Sequence, residues 1–429
     1  MIIFDVINKD LVCSCCRTHR CDIPKLEIGE GAINKLPEFL EDKQNIVLVA
    51  DSNTYPLCGE KAKELLGEKL EKVCFFDTPG YYLVPDEEAL AKIEATCSDK
   101  TDFILGIGSG VINDLTKQVS FGRNIRSGII ASAPSMDGFA SSGAALILKG
   151  MQVTNTTHAP YMIIGDTNIL KDAPLDMIRS GYADIIAKYS ALCDWKLSAL
   201  INDEFFCNEI YKIMLDATNE MRNMAKDLNT RSPHVVGKLM EILVLSGVLM
   251  TLANTTRPAS GSEHHFSHYF HITGLIENKP FFLHGTDVGY TTIKTAEMRE
   301  KICKISKPEF IAVSKETRED FYKKIFGKFS KEIITLQNSA ARYDSPVFEK
   351  YLENWDKVLE ILAECPTAEE IRKMLTDVGI DLSAFEKLYD EKRIENGMWF
   401  AKDIKDRYSV LWLYFDLFFA KEVLKCSEF

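Results

Sequence analysis

The sequence lacks the basic start and long apolar core that would mark its first residues as a secretion signal. It also lacks a basic block. Lys and Arg number 51 against 63 Asp and Glu, and a net charge of −12 argues against binding a nucleic-acid backbone. No apolar run looks long enough to cross a bilayer. The most apolar stretch, Ile242–Ala253, is broken by Ser246, Gly247 and Thr251 and falls short of the roughly 20 residues a span needs. It reads as a buried core helix, and no membrane insertion is expected. Internal repeats and low-complexity linkers are absent. The twelve cysteines are scattered through 429 residues, so most are expected to be reduced thiols in a cytoplasmic protein.

Histidine is scarce, and its placing is uneven. Of eight histidines, five lie in one stretch: His264, His265, His268, His271 and His284. Imidazole is the commonest protein ligand for zinc, iron and similar ions, so the crowding reads as a metal site. His264 and His268 are one helical turn apart and can share a face. A second group, the leader Cys13-Ser-Cys15-Cys16-Arg-Thr-His19-Arg-Cys21, packs four thiols and an imidazole into nine positions. Its spacing is tighter than paired Cys-x-x-Cys, and metal, disulfide, redox and incidental roles all remain open.

Strand and helix signals alternate through the first part. Short apolar runs at Ile46–Asp51, Val73–Phe76, Asp102–Gly106, Gly128–Ser132 and Pro160–Gly165 are separated by helical stretches. That pattern predicts an α/β fold with a parallel sheet. Beyond about residue 170 helices dominate, including Pro174–Leu200, Pro233–Asn254 and Thr286–Lys304. Residues 1–170 are therefore expected to form a dinucleotide-binding Rossmann-like domain, and 171–429 an all-α domain binding metal and substrate. Ser232-Pro233 reads as a helix start, and Thr367 with Glu370 as a capping box. The nearly uniform apolar run Leu411–Phe419 predicts a last helix buried in the domain or at a subunit contact. A homo-oligomer, a dimer, is the expectation.

Gly106-Ile107-Gly108-Ser109-Gly110, followed by Asn113, Asp114 and Lys117, lies where a strand gives way to a helix. Glycines allow close approach of a pyrophosphate, and a helix N-terminus offers free N–H groups. The spacing is not that of the usual dinucleotide fingerprint. Asp51, ending the first strand of the series, could accept hydrogen bonds from a ribose and would favour NAD over NADP. Ser132-Ala-Pro-Ser135-Met-Asp137-Gly138 forms a polar loop after another strand, where parallel sheets bind ligands. Asp184 sits among Ala, Ile and Tyr, and an acid on an apolar stretch needs a partner, which a metal ion would supply.

Taken in order, the glycine run with Asn113-Asp114 and Lys117, Ala133-Pro-Ser-Met-Asp137-Gly138, Ala183-Asp184-Ile-Ile-Ala-Lys188-Tyr189, Arg257-Pro-Ala-Ser-Gly-Ser-Glu-His264 and His284-Gly285 resemble the sn-glycerol-1-phosphate dehydrogenases. These belong to the iron-containing alcohol dehydrogenase and dehydroquinate synthase-like superfamily. The resemblance spans about residues 22–300. It departs mildly at Ile107, where glycine is frequent, and at Ala131-Ser132, where Pro-Thr is common. It implies a dehydroquinate synthase-like fold and one divalent ion (zinc, nickel or iron) on Asp184, His264 and His284, with His265 as the alternative ligand. It also implies NAD(H) or NADP(H) along Gly106, Gly108 and Gly110, with Asp114 beside the nicotinamide end. Ser109, Asn113, Ser132 and Ser135 complete the expected cofactor site with Asp51. Asp137 matches the family's substrate-site aspartate.

The expected reaction is reversible reduction of dihydroxyacetone phosphate, a small phosphorylated substrate, to sn-glycerol 1-phosphate. His268 is the candidate proton relay, and Arg257, Ser260 or Lys188 would meet the phosphate. A glycerol dehydrogenase would act on unphosphorylated polyol, and a dehydroquinate-synthase-type lyase would leave no net NADH. A non-catalytic metal-storage or redox protein built on the cysteines would consume no NADH at all.

Overall fold

The structure is a computed structural model that describes residues 2–78, 83–148, 151–277, 279–344 and 347–422. Its contacts divide the chain into two compact units, Met1–Ile185 with Lys212–Thr256, and Ile186–Tyr211 with Arg257–Phe429. The expected single cut after residue 170 is replaced by an interleaved one. The first unit keeps the start of the helical region and takes back a later segment.

In the first unit, β1 (Lys25–Gly29), β2 (Ile46–Asp51), β3 (Leu70–Phe76), β4 (Phe103–Gly108), β5 (Arg126–Ala131) and β8 (Met162–Asp166) form one sheet in the order β1-β8-β5-β4-β2-β3. Every pairing in it is parallel. All six residues of β2 and of β4 are buried, which accounts for their near-continuous apolar sequences: a parallel sheet is covered on both faces. From β2 the chain moves outward to β3, then returns to β4 on the other side of β2. Ligands bind outside the carboxyl ends of strands where the order reverses in this way. Asp51 ends β2 and Gly108 ends β4, so the reversal falls at the glycine-rich turn.

Two elements were not legible as strands. Strand β1 is short and alternates charged with apolar residues, and β6 (Gly143–Leu148) with β7 (Met151–Thr156) forms a separate antiparallel hairpin. The helix Pro233–Ala253 falls where Pro233–Asn254 was expected, but its apolar stretch is longer than the sequence suggested. It starts at the predicted cap, where Ser232 Oγ accepts the Val235 N–H at 3.3 Å. It runs for 21 residues with a mean hydropathy of 1.9 in its apolar window, long and apolar enough to span a membrane by length and composition. Burial decides its role, because 83% of that window lies inside the protein. At Gly247 an added Cβ would sit 2.9 Å from the backbone nitrogens of Ala140 and Ser141, so helix and turn touch main chain to main chain.

The second unit is helical among the described residues. The stretch expected as one helix from Pro174 to Leu200 is two, Leu175–Ile186 and Lys188–Asn202, broken at Ala187. The histidine helix Ser262–Glu277 is followed by His284–Cys303. The capping box at Thr367 and Glu370 is present. In the last helix, Val410–Glu422, the apolar side chains Leu411, Trp412, Leu413, Phe415, Leu417 and Phe419 are buried by the chain itself. That burial explains the run without a subunit contact.

Candidate active site

The helix Gly110–Gly122 leaves β4 through the predicted glycine turn. A Cβ on Gly108 would lie 2.6 Å from the Ile112 side chain, and one on Gly106 would lie 2.9 Å from Ile129. These glycines let the helix press against the sheet, aiming its N-terminal N–H groups, which have no intrahelical acceptor, at the strand ends. Ser132 N–H donates to Gly108 O at 2.9 Å, and the Ser109 and Ser135 hydroxyls are hydrogen-bonded. The two loops thus form one cradle. Asp51 Oδ1 accepts the N–H groups of Asn53 (2.9 Å) and Thr54 (2.8 Å), so its carboxylate also shapes the turn after β2.

Asn113 and Asp114 have scaffold contacts. Asn113 Nδ2 donates to Gly138 O at 3.3 Å. Asp114 pairs with Lys117 at 2.9 Å and accepts the Ala145 N–H at 3.0 Å. Burial pushes its carboxyl up, and Lys117 opposes that shift. Through these contacts Asp114 ties the hairpin to the helix.

Asp137 and Asp184 meet within the first unit. Asp184, fully buried, accepts the Asp137 N–H on Oδ2 at 3.1 Å. Ser180 Oγ donates to Ser135 O at 3.1 Å on the same helix face. This contact needs glycine one residue further on, because a Cβ on Gly181 would fall 1.9 Å from Pro134 O. Asp137 is itself buried, and Ser246 Oγ donates to its Oδ2 at 2.8 Å. Ser246, on the long apolar helix, is a site residue that the sequence presented only as an interruption.

In the second unit the rings of His264 and His284 lie 5.2 Å apart, with His268 at 6.2 and 6.1 Å from them. His264 Nδ1 is 2.7 Å from Glu263 Oε1, which also accepts the Gly261 N–H at 2.7 Å. A carboxylate on Nδ1 holds the proton there and makes Nε2 the lone-pair nitrogen, the usual support of a metal-bound imidazole. Glu263 was missed, although a carboxylate next to a candidate ligand was the available signal. Glu263→Gln is expected to weaken divalent-metal affinity roughly 10–100-fold without unfolding the protein, measured by competition with a chelating dye.

The neighbouring histidines separate by environment. His265 is fully buried with neither ring nitrogen hydrogen-bonded, and burial holds its pKa well below the ordinary value. His271 Nε2 lies 3.3 Å from Asp287. His268 is held neutral by burial and then by the charge of Lys405. An imidazolium proton donor at His268 is therefore disfavoured, and only the neutral ring is available.

The expected phosphate ligands turn out to be engaged elsewhere. Arg257 is buried, with Nε on Glu204 (2.8 Å), Nη1 on Tyr408 O (2.6 Å) and Nη2 on Ser198 Oγ (3.1 Å). Burial of such a charge is tolerable only with this pairing. Lys188, also buried, donates to Ala259 O at 3.1 Å. Ser260 is buried, and its carbonyl accepts from Arg407 at 3.2 Å. Two cations from the far end of the sequence, Lys405 and Arg407, instead lie near the histidines. Among the described residues Lys405 Nζ has no hydrogen bond or ion pair, although the residue is only half-buried. Burial, then Arg407, draws its pKa down to about 7, and burial, then Arg257, draws Arg407 to about 10. Beyond burial, Lys405 is the leading influence on both His265 and His268.

Comparison with known proteins fits this geometry. The family described as iron-containing alcohol dehydrogenase matches residues 27–174. A solved 1,3-propanediol oxidoreductase superposes with a TM-score of 0.63 at 14% identity, covering 93% of this chain and 99% of that one. An identity that low speaks for the fold alone. The doubly wound sheet and helical second unit thus have the architecture of the iron-containing alcohol dehydrogenases. The chain is 30% identical over 390 residues to the glycerol-1-phosphate dehydrogenase (NAD(P)+) of Halalkalibacterium halodurans, covering 88% of this chain and 90% of the relative. It is 32% identical over 282 residues to that of Hyperthermus butylicus, covering 64% and 78%. The chain belongs to the glycerol-1-phosphate dehydrogenase family. The resemblance and the fold class expected from the motifs are borne out.

Proposed function

We propose that the protein catalyses reversible, metal-dependent reduction of dihydroxyacetone phosphate to sn-glycerol 1-phosphate with NADH or NADPH. One observation carries the reading: Glu263 holds His264 through Nδ1, with a second imidazole, His284, opposite. We assign the third ligand to Asp184, the fully buried acid that the resemblance implies. A carboxylate and two imidazoles suit zinc, nickel or iron, and three protein ligands leave a position open for substrate oxygen. When bound, the ion would polarise the C2 carbonyl as a Lewis acid, and the dinucleotide would supply the hydride.

The rest falls to the chain's own side chains. The cradle of Gly106, Gly108, Ser109, Gly110, Ser132 and Ser135 would seat the dinucleotide pyrophosphate, with Asp51 placed for the ribose. Asp137, oriented by Ser246, would accept a hydrogen bond from a substrate hydroxyl. His268 would pass a proton through its neutral ring, taking one at one nitrogen as it gives one from the other. Lys405 and Arg407, rather than Arg257 or Lys188, would meet the phosphate, since an unpaired ammonium in a half-buried place is made for an anion. The free thiols among the described residues fit a cytoplasmic location.

The test is NADH oxidation with dihydroxyacetone phosphate and with dihydroxyacetone, with and without chelator. Turnover of the phosphorylated ketone, abolished by chelation, is expected. Lys405→Met should lower kcat/KM for it by about 10–100-fold, the loss of one charge-assisted hydrogen bond, and leave the unphosphorylated ketone unaffected. Preference for dihydroxyacetone would favour a glycerol dehydrogenase, and absence of net NADH consumption would overturn the reading.

A further inference from the structure

The cysteine-rich leader takes no part in that reaction, yet it is built as a closed loop. Asn8 N–H donates to Cys21 O (2.9 Å) and Leu11 N–H to His19 O (3.0 Å), and Asp10 bridges Arg20 in antiparallel fashion. Within the loop Cys13 and Cys15 are half-buried, while Ser14 and Cys16 between and after them are exposed. Cys16 adopts a φ of 62°, a left-handed conformation unfavourable for a residue with a Cβ. The reversal it makes brings His19 back onto Cys15. The two thiols are 3.0 Å apart, and Cys15 Sγ lies 2.9 Å from His19 Nε2.

The other side of the imidazole fixes its chemistry. His19 is buried, and its Nδ1 is 2.6 Å from the carbonyl oxygen of Leu252 on the long apolar helix. A carbonyl can only accept, so Nδ1 carries the proton and Nε2 turns its lone pair toward the thiols. That is the orientation a metal-bound histidine takes. We propose that Cys13, Cys15 and His19 hold a structural zinc ion distinct from the metal of the reaction. Two thiolates and an imidazole make a soft donor set that selects zinc over hard cations. Through His19 and Leu252 the ion fastens the leader to the helix Pro233–Ala253.

Replacing zinc by cobalt(II) in the full chain tests this directly, because thiolate ligands give a sulfur-to-cobalt charge-transfer band in the near ultraviolet. Asp184, His264 and His284 offer no sulfur and cannot produce it. The band is expected in the wild type, to persist in Asp184→Ala, and to vanish in Cys15→Ser. Zinc content after exhaustive dialysis should fall by about one ion per chain in Cys15→Ser, and zinc X-ray absorption of the wild type should contain a sulfur shell at about 2.3 Å. The wild-type spectra stand even if the variant does not fold. Absence of both the charge-transfer band and the sulfur shell, full zinc retention in a folded Cys15→Ser, or a Cys13–Cys15 disulfide in protein purified without reductant would overturn the proposal.

Discussion

Asp184→Ala is expected to abolish retention of the divalent ion at the histidine pair and to lower turnover of dihydroxyacetone phosphate by at least about 10³-fold. A Lewis-acidic ion supplies several kcal/mol of charge stabilisation, and each 1.36 kcal/mol is a factor of ten in rate. The substitution also removes the acceptor of the Asp137 N–H, so a structural loss must be told apart from a chemical one. Asp184→Asn makes that distinction. It keeps the volume and an oxygen to accept the amide proton, but not the charge that favours a cation. Both variants should lose the metal, and the asparagine form should melt near the wild-type temperature. A metal-free, folded Asp184→Asn with full turnover would remove the ion from the mechanism.

Gly181→Val is expected to lower kcat/KM by about 10²-fold without touching any ligand. Even the first added carbon would fall 1.9 Å from Pro134 O, a contact with backbone that no rotamer change relieves. The helix and the Ser132–Asp137 loop must separate, loosening Ser180 from Ser135 and Asp184 from Asp137. Overpacking of this kind destabilises by about 1–3 kcal/mol, and a shift of about 1 Å in a positioning element can cost about 10²-fold in rate. Gly122→Ala is the control, because an added methyl there meets nothing within 4 Å. Thermal melts and kcat/KM measured on both proteins would show the contrast. Wild-type kcat/KM in a folded Gly181→Val would mean that this close approach does not position the site.

The contrast between these two residues illustrates what a sequence can disclose. Strands β2 and β4 were legible because a doubly covered parallel strand must be apolar throughout, and Asp184 because an acid on an apolar helix demands a partner. Gly181 carried no local signal, as its constraint comes from a carbonyl 47 residues earlier in the chain, at Pro134. Arg257 shows a similar limit. A motif arginine looks like a phosphate ligand until Glu204, Ser198 and Tyr408 are found to take its donors. Lys405 lay beyond the recognised motifs, and an isolated lysine becomes conspicuous only when folding leaves it without a counter-ion among the described residues. Strand β1 was hidden by its charges, and the interleaved units by the return of Lys212–Thr256 to the first. The apolar stretch of the long helix was read as too short to span a membrane because Ser246 and Gly247 looked like interruptions. In the folded protein one orients Asp137 and the other admits the backbone of Ala140.

The measurement that bears most directly on the account is anomalous diffraction, at the absorption edge of the added ion, from crystals of the full chain loaded with zinc, nickel or iron. The predicted result is a peak within coordination distance of an Asp184 oxygen and a nitrogen of each of His264 and His284, with Glu263 on the far side of the His264 ring. An activating ion bound by other residues, with any of those three side chains turned away from it, would contradict the account.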